Sequence, residues 1–372
     1  MKLTIERGAL LRTLAHVQGV VERRTTIPIL SNLRLEASEG RLGVTATDMD
    51  LAVIVNVAAE IGRDGATTSA AHMMHDIIRK LPEGAQVDLD SDTVADHLTI
   101  TCGQARFSLP SLPAEEFPAM AESDFSHEFA LPVANLKRLI DKTRFAISTE
   151  ETRYYLNGIF IHAVQGDEGP LLRAVATDGH RLSRIDVPLP DGAQDIPGLI
   201  VPRKTVGELR KLIDEVEGDI VVSASQTKVR FAFDETVLTS KLIDGRFPDY
   251  EQVIPDKNDK EIEIDGKMFT EAVDRVATIS TEKTRSVKLA LSKGRLVVSA
   301  NSPDSGSASE EIEAIYDADD LQIGFNSRYL LDVTGQVSGE RIRFVISDSV
   351  SPTVMRDTGD PSALYVLMPM RV

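Results

Sequence analysis

The chain has 372 residues, with 41 Lys and Arg against 58 Asp and Glu, and 42% of its residues are hydrophobic. That length suits two or three domains, the hydrophobic share excludes a disordered chain, and no apolar run nears the roughly 18–20 residues of a membrane span. A net charge of −17 argues against nucleic-acid binding over the whole surface, while a single cysteine, Cys102, excludes an internal disulfide or thiolate cluster and points to a reducing, cytoplasmic compartment.

In chain order, residues 2–5 alternate as a strand and lead into an amphipathic helix over 10–17. Glu6 interrupts the start before a signal-peptide apolar region forms. Arg23 and Arg24 follow in a turn. A second helix is predicted over 70–81, and the period-two stretches at 87–89 and 98–100 read as half-buried antiparallel strands. His72 and His75 stand three apart on that helix. With only Asp76 near them they read as a solvated face rather than a metal pair. Cys102 ends a strand-like run and reads as a small packed side chain.

The middle third opens with a helical stretch, 136–146, crowded with Lys137, Arg138, Lys142 and Arg144 and opposed by Asp141. Strand-like runs at 171–176 and 182–187 flank Thr177-Asp178-Gly179-His180-Arg181. Asp-Gly supplies turn chemistry there; an acid–base pair of Asp178 and His180 is the enzymatic alternative. A helix over 202–216, with Pro202 in its first turn, carries Arg203, Lys204, Arg210 and Lys211 against Glu208, Asp214 and Glu215. Cations on helices of one face suit phosphate contact without base reading. The last third predicts a strand at 261–264, helices over 269–278 and 327–337, and an apolar end from Tyr365 to Val372. Chain ends are usually polar and frayed, so that end is either a docked strand or, with Met368 and Met370, an adaptable groove wall. Walker, dinucleotide-binding, zinc-protease and nucleophile-elbow motifs are all missing.

The thirds repeat. Ile147-Ser-Thr-Glu-Glu-Thr-Arg153 returns 132 residues later as Ile279-Ser-Thr-Glu-Lys-Thr-Arg285, with six of seven positions equal. Ala46-Thr47-Asp48 and Phe117-Pro118 each return 130 residues later as Ala176-Thr177-Asp178 and Phe247-Pro248. We therefore expect an α+β chain of three similar domains, 1–124, 125–253 and 254–372, each with two helices on one face of antiparallel sheets. Joined edge to edge, three such domains make an arc that a second copy closes into a helix-lined ring, which also protects the terminal edge strands.

Those residues carry a resemblance. Pro28-Ile-Leu-Ser-Asn32, Arg153-Tyr-Tyr-Leu-Asn-Gly158, Ala176-Thr-Asp-Gly-His-Arg-Leu182, Ser240-Lys-Leu-Ile-Asp-Gly-Arg-Phe-Pro-Asp-Tyr250 and Met368-Pro-Met-Arg371 are similar to the bacterial DNA polymerase III beta subunits, the replicative sliding clamps. The resemblance runs from end to end and implies half of a head-to-tail homodimeric ring around duplex DNA. It implies no catalysis and no cofactor. Its partners would be a clamp loader, the polymerase alpha subunit and other proteins with clamp-binding motifs.

It implies a partner-peptide pocket between the second and third domains. The matching positions are Leu156 and the turn residues Thr177, Gly179, His180, Arg181 and Leu182. Pro248, Val253, Asn326 and Tyr329 extend the set, and Val366, Met368, Pro369, Met370, Arg371 and Val372 complete it. Gln252 stands where the family has an arginine. The DNA contacts of the family fall on Arg24, Tyr154 and Tyr155, to which the basic helices add Lys137, Arg138, Lys142, Arg203 and Lys204; Glu150 replaces a glutamine and would repel phosphate. At the dimer seam, Phe107 and Leu109 would meet Thr278 and Ile279, with Arg106 opposite Glu310, Glu311 and Glu313. The alternatives are an acidic peptide-binding scaffold without DNA, or a hydrolase using Asp178 and His180.

Overall fold

The computed structural model describes residues 1–92, 96–120, 124–280 and 285–371. Residues 281–284 of the repeat, and Val372, lie outside them. The first third runs β1 (Lys2–Glu6), α1 (Arg7–Gln18), β2 (Asn32–Ser38), β3 (Arg41–Thr47), β4 (Leu51–Ala58), β5 (Glu60–Arg63), β6 (Gly65–Ala70), α2 (Ala71–Lys80), β7 (Gln86–Asp92), β8 (His97–Cys102) and β9 (Ala105–Pro110). The second runs β10 (His127–Pro132), α3 (Val133–Asp141), β11 (Gly158–Gly166), β12 (Gly169–Thr177), β13 (Arg181–Pro188), β14 (Leu199–Pro202), α4 (Arg203–Leu212), β15 (Asp219–Ala224), β16 (Lys228–Phe233) and β17 (Thr236–Lys241). The last runs β18 (Lys260–Asp265), α5 (Gly266–Ala277), β19 (Ser286–Ser292), β20 (Arg295–Ser302), β21 (Gly306–Ile315), β22 (Leu321–Asn326), α6 (Ser327–Thr334), β23 (Arg341–Ile346), β24 (Thr353–Asp357) and β25 (Asp360–Leu367). Apart from the extra short β5, one order of elements occurs three times. The repeat in the sequence is a repeat in the chain fold.

Backbone contacts divide the chain into two compact units. Unit 1 (1–134, 190–197 and 204–242) holds a five-stranded sheet, β5-β1-β7-β8-β9, and an eight-stranded sheet, β10-β15-β16-β17-β4-β3-β2-β6. α1 packs on α2, on β1 of the first sheet and on β3 and β4 of the second. Its buried stripe is Leu10, Thr13, Leu14 and Val17, the spacing of a helix with one face in a core. The Glu6 carboxylate caps it by accepting the Ala9 N–H at 2.7 Å.

Unit 2 (135–189, 198–203 and 243–372) holds a twelve-stranded sheet, β14-β11-β12-β13-β25-β24-β23-β18-β21-β20-β19-β22. α5 packs on α6 and on β18 to β21. Asp265 caps α5 and Asn326 caps α6. Both large sheets cross from one third of the chain to another without a break. β17 pairs with β4 from Thr236 opposite Val55 to Ser240 opposite Leu51. β13 pairs with β25 from Arg181 opposite Leu367 to Ile185 opposite Ala363.

Several expectations need correction. Pro202 lies outside the helix: it ends β14, opposite Gly158 on a sheet-edge strand that tolerates a missing N–H, and α4 begins at Arg203. The basic stretch at 136–146 is an α-helix only to Asp141, followed by a 3-10 turn over Arg144–Ala146. His72 and His75 are not a solvated face. His72 bonds the Val21 carbonyl at 3.2 Å and His75 meets the Gln18 amide at 3.3 Å, so both tie α2 to α1 and the turn after it. Cys102 is buried.

Candidate functional site

In unit 2 the turn between β12 and β13 is built by its own side chains. The Thr177 hydroxyl accepts the Gly179 N–H at 3.0 Å, and Asp178 Oδ1 accepts the N–H groups of His180 and Arg181 at 2.9 and 3.0 Å. Gly179 has φ +87°, a backbone conformation that favours glycine, and a Cβ there would stand 2.6 Å from the Arg153 guanidinium and push that side chain aside. Thr47 and Asp48 make the same bonds in unit 1, to Met49, Asp50 and Leu51.

This arrangement removes the enzymatic alternative. The Asp178 carboxylate is spent on two backbone donors and on Arg181 Nε at 3.1 Å, while the His180 ring stacks on Tyr329, with centroids 6.3 Å apart. Arg181 is buried. It pairs with Asp178 and Asp332, donates to the Phe145 carbonyl, and sits 4.4 Å from the Tyr329 ring centroid. Among the expected pocket positions it therefore supports the wall from behind.

In front of that wall lies an apolar cluster. Leu156, Leu182 and Val366 are buried together with Val175, Ile200, Phe247, Tyr250, Val354 and Leu364. Phe160 stacks on Phe247 with centroids 4.8 Å apart. Large apolar side chains stay exposed beside it, Val253 at 48% and Met368 at 40%. Beyond β25 the chain end is pinned: the Met368 N–H donates to the His180 carbonyl at 2.9 Å and the Met370 N–H to that of Gly324 at 2.8 Å. Met368 and Met370 thus lie between the β13 turn and β22. The end is a docked strand to Leu367, after which Met368 is exposed. Pro248 and Arg371 are exposed, Pro369 half-buried, and Asn326 caps α6 with its side chain. Gln252 turns back to Asp249 at 2.8 Å.

Below the cluster is a polar layer that sequence reasoning missed. Arg173 makes a bidentate pair with Asp186 at 2.7 and 2.9 Å and reaches the Tyr250 hydroxyl at 3.3 Å. Burial opposes its charge, but the bonds from Asp186 and Tyr250 outweigh that and raise its pKa. His162 bonds the same hydroxyl at 3.0 Å, and burial pushes its pKa down. A signal was present: the register set by the turn at 177–181 places Arg173 directly opposite Asp186.

The expected DNA contacts differ in how free they are. Tyr154 is 53% exposed and meets Tyr155 edge-on, with Gly245 against the Tyr154 ring and the Tyr155 Cβ. Arg24 and Arg203 are exposed, and Lys137 is half-buried. Arg138 is held by Asp360 at 3.0 Å and by Ser362. Lys142 donates to the Gln336 carbonyl. Lys204 is held by Asp48 at 2.5 Å and the Val20 carbonyl at 3.0 Å. A charge already engaged inside the fold has less to give a phosphate. Glu150 pairs with Arg153, whose hydrogen bond lowers the carboxylate's pKa.

For the expected seam, β9 is an edge strand of the five-stranded sheet, with Arg106 exposed, Phe107 half-buried and Leu109 buried. In unit 2, β21 pairs with β20 along its length but with β18 only at Ala314 and Ile315, so among the described residues its Glu310–Glu313 edge is open. Thr278 and Ile279 follow α5. Glu310 is paired with Arg275 at 2.6 Å and Glu311 with Arg295 at 3.4 Å, which reduces the charge left to oppose Arg106. Glu313 is exposed.

Comparison with known proteins follows the same threefold division. Family models of the DNA polymerase III beta subunit match in tandem: the N-terminal domain at residues 1–121, the central domain at 130–249 and the C-terminal domain at 251–371. The chain is 52% identical to the beta sliding clamp of Caulobacter vibrioides and 39% identical to that of Escherichia coli, in each case over 100% of both chains. Among solved structures it is similar to a sliding clamp from Bartonella birtlesii bound to griselimycin, at TM-score 0.97 and 47% identity over 100% of both chains. The Caulobacter crescentus polymerase III beta structure matches at TM-score 0.95 and 52% identity, again over 100% of both. Three modules in order, at these identities and over the full length, place the chain in one group of proteins. It belongs to the DNA polymerase III beta subunit family, the bacterial sliding clamps.

Proposed function

We propose that the chain is half of a DNA sliding clamp, a non-catalytic processivity factor that encircles duplex DNA and tethers the replicative polymerase. The tandem match of all three beta-subunit domains carries this reading. Two chains join head to tail through the β9 edge, with Phe107 and Leu109, and the open edge of β21 beside Thr278 and Ile279. Two unpaired antiparallel edges satisfy each other's main-chain groups. The modules are 1–124, 125–253 and 254–372.

A closed ring holds DNA by topology and needs only weak, sequence-blind contact. Arg24, Lys137, Arg203, Tyr154 and Tyr155 supply it; Arg138, Lys142 and Lys204 chiefly fix their helices. Partner proteins insert apolar side chains over Leu156, Leu182 and Val366, between Val253 and Met368, with Tyr329 and His180 as the opposite wall. A clamp loader and the polymerase alpha subunit are the partners this surface fits. The setting is cytoplasmic, where the buried Cys102 stays a thiol. The test loads the protein on nicked circular DNA and then linearises the circle. A ring slides off the cut ends; a conventional binder stays, and that result refutes encirclement.

A further inference from the structure

A groove of about 790 Å³ crosses the eight-stranded sheet of unit 1. Register defines its floor. One rung runs from Arg34 through Thr45 and Ile54 to Val237, and the next joins Ala52, Thr239 and Arg230. Residues two apart on a strand share a face, so both rungs line one side. Glu115, Phe117 and Asp124 line its wall. With strands about 4.8 Å apart, Arg34 on β2 and Arg230 on β16 stand roughly 19 Å apart across the floor.

The groove lies over the β4–β17 pairing, as the apolar cluster of unit 2 lies over β13–β25, and register gives the correspondence. Where unit 2 has Phe160, Val175, Leu182, Val366 and Val354, unit 1 has Arg34, Thr45, Ala52, Thr239 and Arg230. Phe117 keeps the place of Phe247 and is buried at 7%. The same scaffold position is therefore shallow and apolar in its middle, where Ile54 is 39% exposed, and cationic at both ends. Arg34 is shared with Glu36 at 2.7 Å. Arg230 Nε is buried and meets no acceptor among the described residues. A buried donor without a partner is costly, and since Arg230 itself lines the groove, a carboxylate there gains a charge-assisted bond to its guanidinium.

We propose that this groove is a second docking site, taking an extended acidic peptide from a partner protein. One carboxylate meets Arg230, another meets Arg34, and short aliphatic side chains lie over Ile54 and Val237. About six extended residues span the distance. Partners of two chemistries, apolar and acidic, thus have separate places on one chain.

The test is fluorescence anisotropy on the full-length protein. The probe is a labelled eight-residue peptide with two aspartates at each end and alternating alanine and valine between them. Saturable binding is expected, weakened at least tenfold by Arg230→Gln and several-fold by Arg34→Gln. Replacing the probe's aspartates with asparagines should abolish it. A lysine-ended probe should bind the double variant Arg34→Glu, Arg230→Glu and not the parent, which keeps the test valid if one neutral variant folds poorly. Any one of three results overturns the proposal: no saturable binding by the parent, equal affinity of Arg230→Gln, or displacement by an equimolar single-stranded oligonucleotide or an apolar leucine–phenylalanine peptide.

Discussion

Arg181 lies beneath Tyr329, its guanidinium carbon 4.4 Å from the ring centroid, and pairs on either side with Asp178 and Asp332. One buried cation therefore joins the β12–β13 turn to α6 and sets the wall against which His180 stacks. Arg181→Ala should destabilise the protein by about 3 kcal/mol, because it leaves carboxylates without their partner. Urea unfolding measures this. Arg181→Lys should recover little, since a point charge cannot replace a planar fork, and peptide affinity should fall in both variants.

Floor and rim should separate cleanly. Phe247→Ala opens a hole under Phe160 and should cost about 3–5 kcal/mol. Met368→Ala removes a side chain that is 40% exposed and should change stability by no more than about 0.5 kcal/mol, yet weaken an apolar partner peptide. Thermal melts and calorimetric titration of the two variants read the difference.

The expected DNA contacts should split by whether their charge is free. Arg24→Ala and Arg203→Ala should each reduce the slope of log affinity against log salt by about 0.9, measured on duplex DNA between low and moderate salt. Lys204→Ala should leave the slope nearly unchanged and instead lower stability by about 1 kcal/mol, through loss of its bond to Asp48.

Burial pushes the pKa of His162 below its usual value, as it does for His16 and His75. The folded state therefore takes up these protons less readily than the unfolded chain. Their contribution to stability is complete above the unfolded histidine value of about 6.5 and is lost as pH falls through the lower folded values. The melting temperature should drop from pH 7.5 to pH 5.5, and His162→Phe should flatten part of that dependence. A drop of the same size in the variant would show that His162 contributes nothing.

Much of this was legible in the sequence. The threefold order of elements followed from matches such as Phe117-Pro118 with Phe247-Pro248, and the turn at Asp178-Gly179 from the alternation on either side of it. Partnership across long separations was not legible. Nothing local to Lys204 announces Asp48, and nothing near Arg138 announces Asp360, so both looked like free cations. The resemblance places Arg181 among the pocket positions; only packing shows its guanidinium held by Asp178, Asp332 and the Phe145 carbonyl. The arginines of the unit 1 groove stay hidden until strand register puts them opposite the apolar residues of unit 2.

The joins at β4–β17 and β13–β25 are ladders of main-chain hydrogen bonds, indifferent to side-chain identity. The central third of the polypeptide is thus stitched to both neighbours, and excising it as a separate fragment would bare two raw strand margins, inviting clumping rather than independent folding. Divergence can then rework either groove residue by residue while the weave beneath it stays intact.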